Sequence, residues 1–171
     1  GWTGIVGPES DGGSDLGYLT FGVILEQLGR QLCASPLFAS AYLGATALNL
    51  GGSDAQKAHW LPKIVDGSEI LTLAVDEHSR HQRDGVETSA QASADGFVIN
   101  GAKTFVLEGM SATTLVVAAR TDEGTVGLFL VSADAQGLSR QAMQTVDSRD
   151  YARVTLSDVS VSADAYLGAM A

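Results

Sequence analysis

The sequence predicts an α+β fold in which N-terminal helices pack on an antiparallel β-barrel or sandwich. Apolar residues in the first third of the chain recur at spacings of three and four, which is typical of amphipathic helices. After Gly67 the chain consists of short runs rich in β-branched and apolar residues, separated by turn dipeptides, which is typical of antiparallel strands. We therefore predict a helical part over residues 1–66 and a β-domain over residues 67–171, with a boundary near Gly67.

The first predicted helix is the stretch DLGYLTFGVILEQLGRQL, residues 15–32. Glu26 and Arg30 stand four residues apart on its polar side, in the order that favours an ion pair. Cys33 follows among apolar residues, and we predict that it is a small core residue. The apolar positions of the helix predict one buried face, formed by Leu16, Leu19, Val23, Leu25, Leu28 and Leu32.

Two further helices are predicted before the strands begin. The stretch SPLFASAYLGATALNLGG, residues 35–52, is almost apolar on all sides, so we expect other elements or another subunit to cover it. Its proline should begin the helix and its Gly-Gly pair should end it. In the third helix, Ser53 and Gln56 have the spacing of a capping box, and Pro62 should break or kink the helix.

Seven or eight short runs in the second part predict the strands of a sandwich or small barrel. Asp95-Gly96 and Asn100-Gly101 are dipeptides that favour two-residue hairpin loops, because they tolerate positive φ angles. Lys103, two residues after the second of these turns, could contact a phosphate, but we expect it to be a solvated side chain on a hairpin. The predicted strands are ILTLAV, VETSAQA, FVI, TFVL, TLVVAART, VGLFLVS, LSRQAM and ARVTLSDV.

The composition of the 171 residues excludes several classes of protein. A formal net charge of −10 argues against nucleic acid and anionic membranes as partners, since both require clustered Lys and Arg. Cys33 is the sole cysteine, so an internal disulfide framework is excluded and a reducing, cytoplasmic location is expected. No apolar run approaches the roughly 20 residues that span a bilayer. The opening GWTGIVGPES suggests a fragment of a longer protein.

The stretch LAVDEHSRHQRDG, residues 73–85, contains two of the three histidines among charged residues. It could form a metal site, an acid–base cluster or a ligand loop. Asp76, His78 and His81 are ligand types that suit zinc. However, the stretch follows a strand and lacks the helical spacing of a zinc motif, and no cysteine or third histidine is near in sequence. We therefore predict no metal here. The cluster from Asp147 to Asp150 reads as a charged surface turn.

Several segments in order resemble the acyl-CoA dehydrogenase family. They are GWTGIVGPESDGGSDLG, LEQLGRQ, GSDAQKAHWLPKIVDGSEILTLAVDE, GFVINGAKTFVLEGMSATTLVVAART and VTLSDVSVSADAYLG. The resemblance implies an N-terminal helical domain, a middle β-barrel domain and a C-terminal four-helix domain, the last of which lies outside this chain. It also implies dehydrogenation of an acyl-CoA thioester between its α and β carbons, with FAD as hydride acceptor. The catalytic carboxylate of the family usually lies on the C-terminal domain, so no catalytic residue is assigned here.

The resemblance implies flavin contacts from two segments of the middle domain. One runs from Asp76 to Arg83, where the family has a Gly-rich turn, and the other is Phe105-Val106-Leu107. The chain departs from the family in both places, because bulky residues replace the glycines and Leu107 replaces a threonine hydroxyl. The implied cofactor contacts are Leu73, Val75, Asp76, Phe105 and Leu107, and the implied substrate contacts are His81, Gln82 and Arg83.

Three functional hypotheses follow. The first is part of an enzyme subunit whose full-length form binds FAD and oxidises an acyl-CoA, with an electron-transfer flavoprotein as electron acceptor. The second is a non-catalytic subunit with a degenerate flavin site in a hetero-oligomer, as in bacterial steroid side-chain degradation. Leu107 and the altered loop favour the second, whereas the retained Phe105 supports the first. A third hypothesis is a stand-alone β-barrel binding module.

Overall fold

The structure is a computed structural model that describes residues 1–82, 85–147 and 149–169. The chain divides into two compact units, Gly1–Leu71 and Thr72–Ala171. The first contains the helices and the second contains almost all of the strands. The predicted fold class, helices followed by a mostly antiparallel β-domain, is confirmed.

The first unit is helical throughout. Its helices are α1 (Gly17–Arg30), a π-helical segment (Phe38–Gly44) that continues into α2 (Ala45–Gly51), and α3 (Asp54–Asp66), preceded by short 3-10 turns at Trp2–Gly4 and Glu9–Asp11. None of the helices within the described residues combines the length and apolar character needed to cross a bilayer. The second predicted helix thus ends at its Gly-Gly pair as expected, although its π-helical first half was not predicted.

The predicted buried face of α1 is wrong. Phe21 is the buried residue of this helix, and its ring stacks on Tyr42 with centroids 5.5 Å apart. In contrast, Leu19 is 87% exposed and Leu32 is 89% exposed, and Cys33 is exposed as well. Apolar spacing identifies a face that favours burial but does not identify the element that would cover it. In the described part of the chain this face is open to solvent. Leu16 and Val23 are exposed too, while Leu25 and Leu28 are half-buried.

Helix α3 begins as the sequence predicts but does not break at its proline. The Ser53 hydroxyl accepts a hydrogen bond from the Gln56 N–H at 3.2 Å, and the Gln56 side chain accepts one from the Ser53 N–H at 2.7 Å. This capping box satisfies two otherwise unpaired donors. The helix continues through Pro62 to Asp66. Leu61 and Ile64, each 1% exposed, anchor the chain on both sides of the proline, so packing offsets the one backbone bond that proline removes.

The second unit is an eight-stranded sheet. The strands are β1 (Leu71–Ala74), β2 (Ser89–Ser93), β3 (Gly96–Leu107), β4 (Thr114–Thr121), β5 (Val126–Ser132), β6 (Leu138–Met143), β7 (Tyr151–Ser162) and β8 (Tyr166–Ala169). Their order is β6-β7-β3-β2-β4-β5-β8, and β1 pairs with β4. Pairing is antiparallel for β2–β3, β3–β7, β4–β5, β5–β8 and β6–β7, whereas β2 and β4 pair in parallel.

The core of this unit lies on one face of the alternating strands. The Phe129 ring is fully buried and lies 5.0 Å from the Phe97 ring in an edge-to-face arrangement and 5.0 Å from the Tyr166 ring. Aromatic and β-branched side chains from neighbouring strands fill the remaining space, as expected for a half-buried pleated surface. The cluster contains Ala74, Ala90, Ile99, Val106, Leu115, Val117, Ala119, Phe129, Val131, Ala133, Ala152, Val154, Leu156 and Val159.

Of the two predicted hairpin turns, one is confirmed and one is wrong. Residues 94 and 95 form the turn between β2 and β3, and Gly96 opens β3. Asn100-Gly101, however, lies inside β3 at a register shift against β7. A Cβ on Gly101 would come within 2.7 Å of the Thr88 Cα, so glycine is required there by close approach and not by a hairpin. The runs FVI and TFVL are therefore one continuous strand.

Candidate functional site

The two segments that the sequence singled out are neighbours in the structure. The Thr104 N–H donates a hydrogen bond to the Asp76 carbonyl at 2.8 Å. One residue earlier in each segment, the Lys103 Nζ donates to the Val75 carbonyl at 3.2 Å. The segment that follows β1 and the end of β3 are thus joined by hydrogen bonds.

A bulge near the end of β3 exposes an aromatic ring. The register between β3 and β7 shifts between Lys103 and Val106. Within the bulge Phe105 has a φ of 51°, in the left-handed region that a bulky residue occupies only at a cost on the order of 1 kcal/mol or more. Its side chain is directed to solvent, with 45% of the residue exposed, and it meets Tyr151 at a centroid distance of 6.3 Å. The backbone is therefore strained in a way that presents a flat apolar surface.

The structure corrects the expectation that Lys103 is solvated. Lys103 is 1% exposed, and its Nζ lies 2.6 Å from the Glu77 Oε1, with the two side chains 0% and 7% exposed. Burial lowers the pKa of Lys103, whereas the hydrogen bond that Lys103 donates to the Glu77 carboxylate acts in the opposite direction. The Asn-Gly dipeptide does not form a hairpin, so Lys103 occupies an inward position of a continuous strand. A buried charge persists only when it is paired, and Glu77 provides the partner.

Glu77 also accepts hydrogen bonds from the far end of the same loop. Its Oε2 accepts from the Glu87 N–H at 2.7 Å, and its Oε1 accepts from the Thr88 N–H at 3.0 Å. Burial by itself would raise the pKa of Glu77, but the hydrogen bonds from Lys103, Thr88 and Glu87 outweigh it and hold that pKa below its usual range. One carboxylate thus joins the start and the end of the segment from Asp76 to Thr88, which we call the site loop.

The predicted substrate contacts His81 and Gln82 lie at the exposed tip of the site loop, residues 78–82. Arg83, the third predicted substrate contact, lies outside the described residues. The His81 Nδ1 is 2.6 Å from the Asp76 Oδ1, so Asp76 fixes the orientation of this imidazole. Leu73 and Val75, predicted to contact the cofactor, are half-buried at the base of the loop. The structure places all the described candidates on two adjoining segments.

A group of three side chains near the loop offers ligand atoms for a metal. Oxygen and nitrogen atoms of Glu77, His78 and Glu87 lie within 4.8 Å of one another. The oxygens of Glu77 already accept bonds from Lys103 and two backbone N–H groups, so an ion at this carboxylate would compete with the buried ammonium group of Lys103. The group also differs from the trio that the sequence suggested, because Asp76 and His81 pair with each other. That no metal binds here stays a prediction.

The turn after Leu107 is held by two charged side chains. The Asp150 carboxylate accepts hydrogen bonds from the Met110 N–H at 3.1 Å and from the Ser111 N–H at 2.9 Å. On the other side, the Arg140 guanidinium donates to the carbonyls of residues 109, 110 and 112 at 2.9–3.1 Å. Within the predicted charged surface turn, Asp147 is exposed in a turn as expected, and Asp150 additionally organises the backbone next to the site.

Leu107 itself offers no side-chain hydrogen bond. Its carbonyl accepts a bond from the hydroxyl of Thr72, a buried residue of β1, and its side chain is half-buried. The backbone of this strand end is thus fixed by the fold, and any group bound against Leu107 meets an aliphatic surface.

Glu108 is a buried carboxyl group that sequence reasoning missed. It is 6% exposed and has a φ of 54°. Burial raises its pKa, the charge of Asp150 raises it further, and Arg149 acts in the opposite direction. A glutamate directly after an apolar strand and before glycine was the available sequence indication, but its burial depends on the turn that Asp150 organises.

Replacing Glu108 with glutamine should raise stability at pH 7 and leave it unchanged near pH 4. The folded-state pKa of Glu108 is raised, so its favourable contribution is complete below the ordinary glutamate pKa of about 4.3 and is lost as pH rises through the folded value. Glutamine does not titrate, so the melting temperature at pH 7 should increase by a few degrees. Thermal unfolding at both pH values tests this, with Glu9→Gln on an exposed turn as control. Identical curves at pH 7 would contradict it.

Comparison with known proteins identifies two domain models along the chain. Residues 1–68 match the acyl-CoA dehydrogenase N-terminal domain, and residues 75–159 match the acyl-CoA dehydrogenase middle domain. Among curated proteins, acyl-CoA dehydrogenase FadE12 of Mycobacterium tuberculosis is 30% identical over 99% of this chain and 46% of its own length. The chain therefore spans about half the length of the curated relatives that it matches.

Solved structures of similar fold include two that contain paired proteins. The ChsE4-ChsE5 complex from Mycobacterium tuberculosis matches with a TM-score of 0.88 and 31% identity, over 98% of this chain and 44% of the matched chain. A Tcur3481-Tcur3483 steroid ACAD matches with a TM-score of 0.84 and 34% identity, over 93% of this chain and 43% of the matched chain.

Proposed function

Because this chain belongs to the acyl-CoA dehydrogenase family, whose N-terminal and middle domains it carries, we propose that it forms one wall of a flavin and acyl-CoA site in a longer protein. The reaction of that protein is removal of the α-proton of an acyl thioester by a base outside this chain, with transfer of the β-hydride to FAD. FAD, when bound, supplies the hydride acceptor that no side chain can provide. We also propose that the boundary between the N-terminal helical domain and the middle β-domain lies near Gly67.

The observation that carries this proposal is the exposed Phe105 ring on a strained bulge. A strained backbone that directs a large apolar ring to solvent is unfavourable for a free protein and favourable where the ring covers a planar ligand. The ring lies one residue from Thr104, whose N–H bonds to the site loop. Phe105, Leu73, Val75 and Leu107 offer apolar surface that fits a flavin ring, and Asp76, whose carbonyl accepts the Thr104 N–H, is the polar residue of this wall.

The tip of the site loop is proposed to meet the acyl-CoA. Asp76 holds the His81 ring through Nδ1 and leaves Nε2 directed away from that bond. Together with Gln82, His81 gives the tip donors that suit the phosphate or carbonyl oxygens of an acyl-CoA, and we propose Arg83, outside the described residues, as a further substrate contact. In the family, glycines at these positions would let backbone N–H groups donate hydrogen bonds to the acyl-CoA. In this chain we propose that side chains donate them.

A second candidate function is a non-catalytic subunit of a heteromeric acyl-CoA dehydrogenase. Leu107 favours it, because an aliphatic side chain removes the hydroxyl that the family resemblance places beside the flavin. The pairing of ChsE4 with ChsE5 and of Tcur3481 with Tcur3483 supports a hetero-oligomer for proteins of this kind. The open face of α1 agrees with burial in the longer protein or against another subunit. An electron-transfer flavoprotein is the proposed electron acceptor of the assembled enzyme.

The Phe105→Ala variant tests the proposed flavin wall in the longer protein that contains this chain, co-produced with any adjacent homologue. Loss of an aromatic contact worth about 0.5–1.5 kcal/mol should weaken FAD affinity roughly 2- to 10-fold. The measurement is the flavin-to-protein ratio after dialysis, together with titration of the apoprotein. Trp2→Ala, which truncates an aromatic residue that is 58% exposed in the other unit, is the matched control.

The same experiment separates the two candidate functions. Flavin content that falls in Phe105→Ala but not in Trp2→Ala supports a flavin wall formed by this chain. Equal flavin content in the wild type and in both variants, with acyl-CoA oxidation intact, would show that the flavin lies entirely on another subunit, in agreement with the non-catalytic candidate.

A further inference from the structure

We propose that the Glu77–Lys103 pair is a positioning device that holds the site loop and the Phe105 bulge in one fixed arrangement. The inference rests on the proposed function, because it concerns the wall that would meet flavin and acyl-CoA. Its elements are a buried ion pair at 2.6 Å, a loop closed by one carboxylate, and a strand bulge that begins at the same lysine.

The first step is the closure of the site loop. Glu77 binds the backbone of residues 87 and 88, which are 10 and 11 positions further along the chain. Joining the ends of a segment restricts its conformations, here those of the described tip residues 78–82. The tip that carries His81 and Gln82 is therefore attached to a base whose two ends cannot separate while Glu77 keeps its bonds.

The second step is the link to the bulge. Lys103 directs its ammonium group inward to Glu77 and to the Val75 carbonyl, while Phe105, two residues later, faces solvent. Between them, the Thr104 N–H bonds to the Asp76 carbonyl. The position of the ring is thus fixed relative to the loop by three hydrogen bonds that converge on residues 75–77.

The ionic character of the Glu77–Lys103 pair is explained by the loop. Two apolar side chains of similar volume would fill this interior without the desolvation cost of two charges. An apolar pair, however, could not accept hydrogen bonds from the backbone N–H groups of Glu87 and Thr88. The loop therefore requires the acceptor oxygens of Glu77, and Lys103 neutralises the buried carboxylate that provides them.

The decisive experiment compares the wild-type chain with the double variant Glu77→Leu/Lys103→Met by residue-resolved amide hydrogen exchange. The double variant keeps the volume and removes both charges, so core amides such as those of Val117 and Phe129 should exchange as in the wild type. The amides of Glu87 and Thr88 should exchange at least about tenfold faster, because they lose their acceptor. Glu26→Leu/Arg30→Met, which removes the exposed ion pair of α1, is the matched control and should change neither set.

A second variant covers the case in which the double variant does not fold. Glu77→Gln keeps the shape of the side chain but offers one carbonyl oxygen, so at least one of the two loop amides should exchange faster. Slow exchange at both loop amides in either folded variant would overturn the proposal. A purely structural pair predicts that loop and core amides change together, and that outcome would also overturn it.

The outcome for the loop is independent of the outcome for the proposed function. If FAD fails to bind the longer wild-type protein, the proposed function fails while the exchange result stands. If FAD binds, the double variant should reduce its affinity more than Glu26→Leu/Arg30→Met does. Unchanged FAD affinity in a variant whose loop amides exchange rapidly would contradict the positioning role.

Discussion

The chain of 171 residues, purified on its own, should be colourless and inactive toward acyl-CoA with an artificial electron acceptor. The family resemblance places FAD between the middle domain, a C-terminal domain and a neighbouring subunit, so this chain supplies only part of the contacts. A single hydrogen bond contributes on the order of 1 kcal/mol, or several-fold in affinity, and many are absent together. Absorption spectra of the purified chain, before and after incubation with FAD and dialysis, provide the measurement.

The Leu107→Thr variant is the informative companion to that experiment. It restores the hydroxyl that the family resemblance places next to the flavin, yet one bond cannot replace the remaining contacts, so this variant should be colourless as well. A yellow preparation of the wild-type chain with near-stoichiometric flavin would contradict the expectation and show that the middle domain retains FAD without its usual neighbours.

Replacing Glu77 alone with leucine should destabilise the second unit by about 3–5 kcal/mol at pH 7, because Lys103 is left as an unpaired buried charge. The loss should shrink as the pH rises. Burial already lowers the pKa of Lys103, and a lysine whose folded pKa is depressed is destabilising while protonated, so stability increases as the proton leaves.

Urea unfolding of the Glu77→Leu variant at about pH 7 and about pH 10 tests both parts of this expectation. Glu26→Leu, which breaks an ion pair whose side chains are 61–63% exposed, is the control and should change stability by less than about 1 kcal/mol. A Glu77→Leu variant as stable as the control at pH 7 would mean that water reaches Lys103 and that the pair is not a closed interior contact.

Local features of the chain were predictable because they depend on a few adjacent residues. The capping box of Ser53 and Gln56 and the turn at Asp95 both follow from side-chain or backbone chemistry within four positions. The strands after Gly67 were likewise recognisable from their composition. The end of the second helix at Gly51 follows from the Gly-Gly pair there.

The features that were missed depend on residues distant in sequence. The sequence predicts Gly101 to be a turn residue, whereas in the fold it lies against Thr88. It predicts Lys103 to be solvated, whereas the Lys103 Nζ lies 2.6 Å from Glu77. The apolar face of α1 was predicted to be buried, and this prediction was wrong because apolar spacing carries no information on the covering element. For the site, the sequence identified both segments, but the bonds that join them at Val75 and Asp76 required the fold.

The closed base of the site loop has a consequence for how this protein can change. Because Glu77 closes the loop through the backbone N–H groups of Glu87 and Thr88, the exposed residues 78–82 can change without removing those two bonds. Substitutions at these five positions should alter the donors and charges offered to a ligand while the strands below keep their hydrogen bonds. We therefore expect variants that differ only at residues 78–82 to keep the closed loop base as long as the buried Glu77–Lys103 pair is retained.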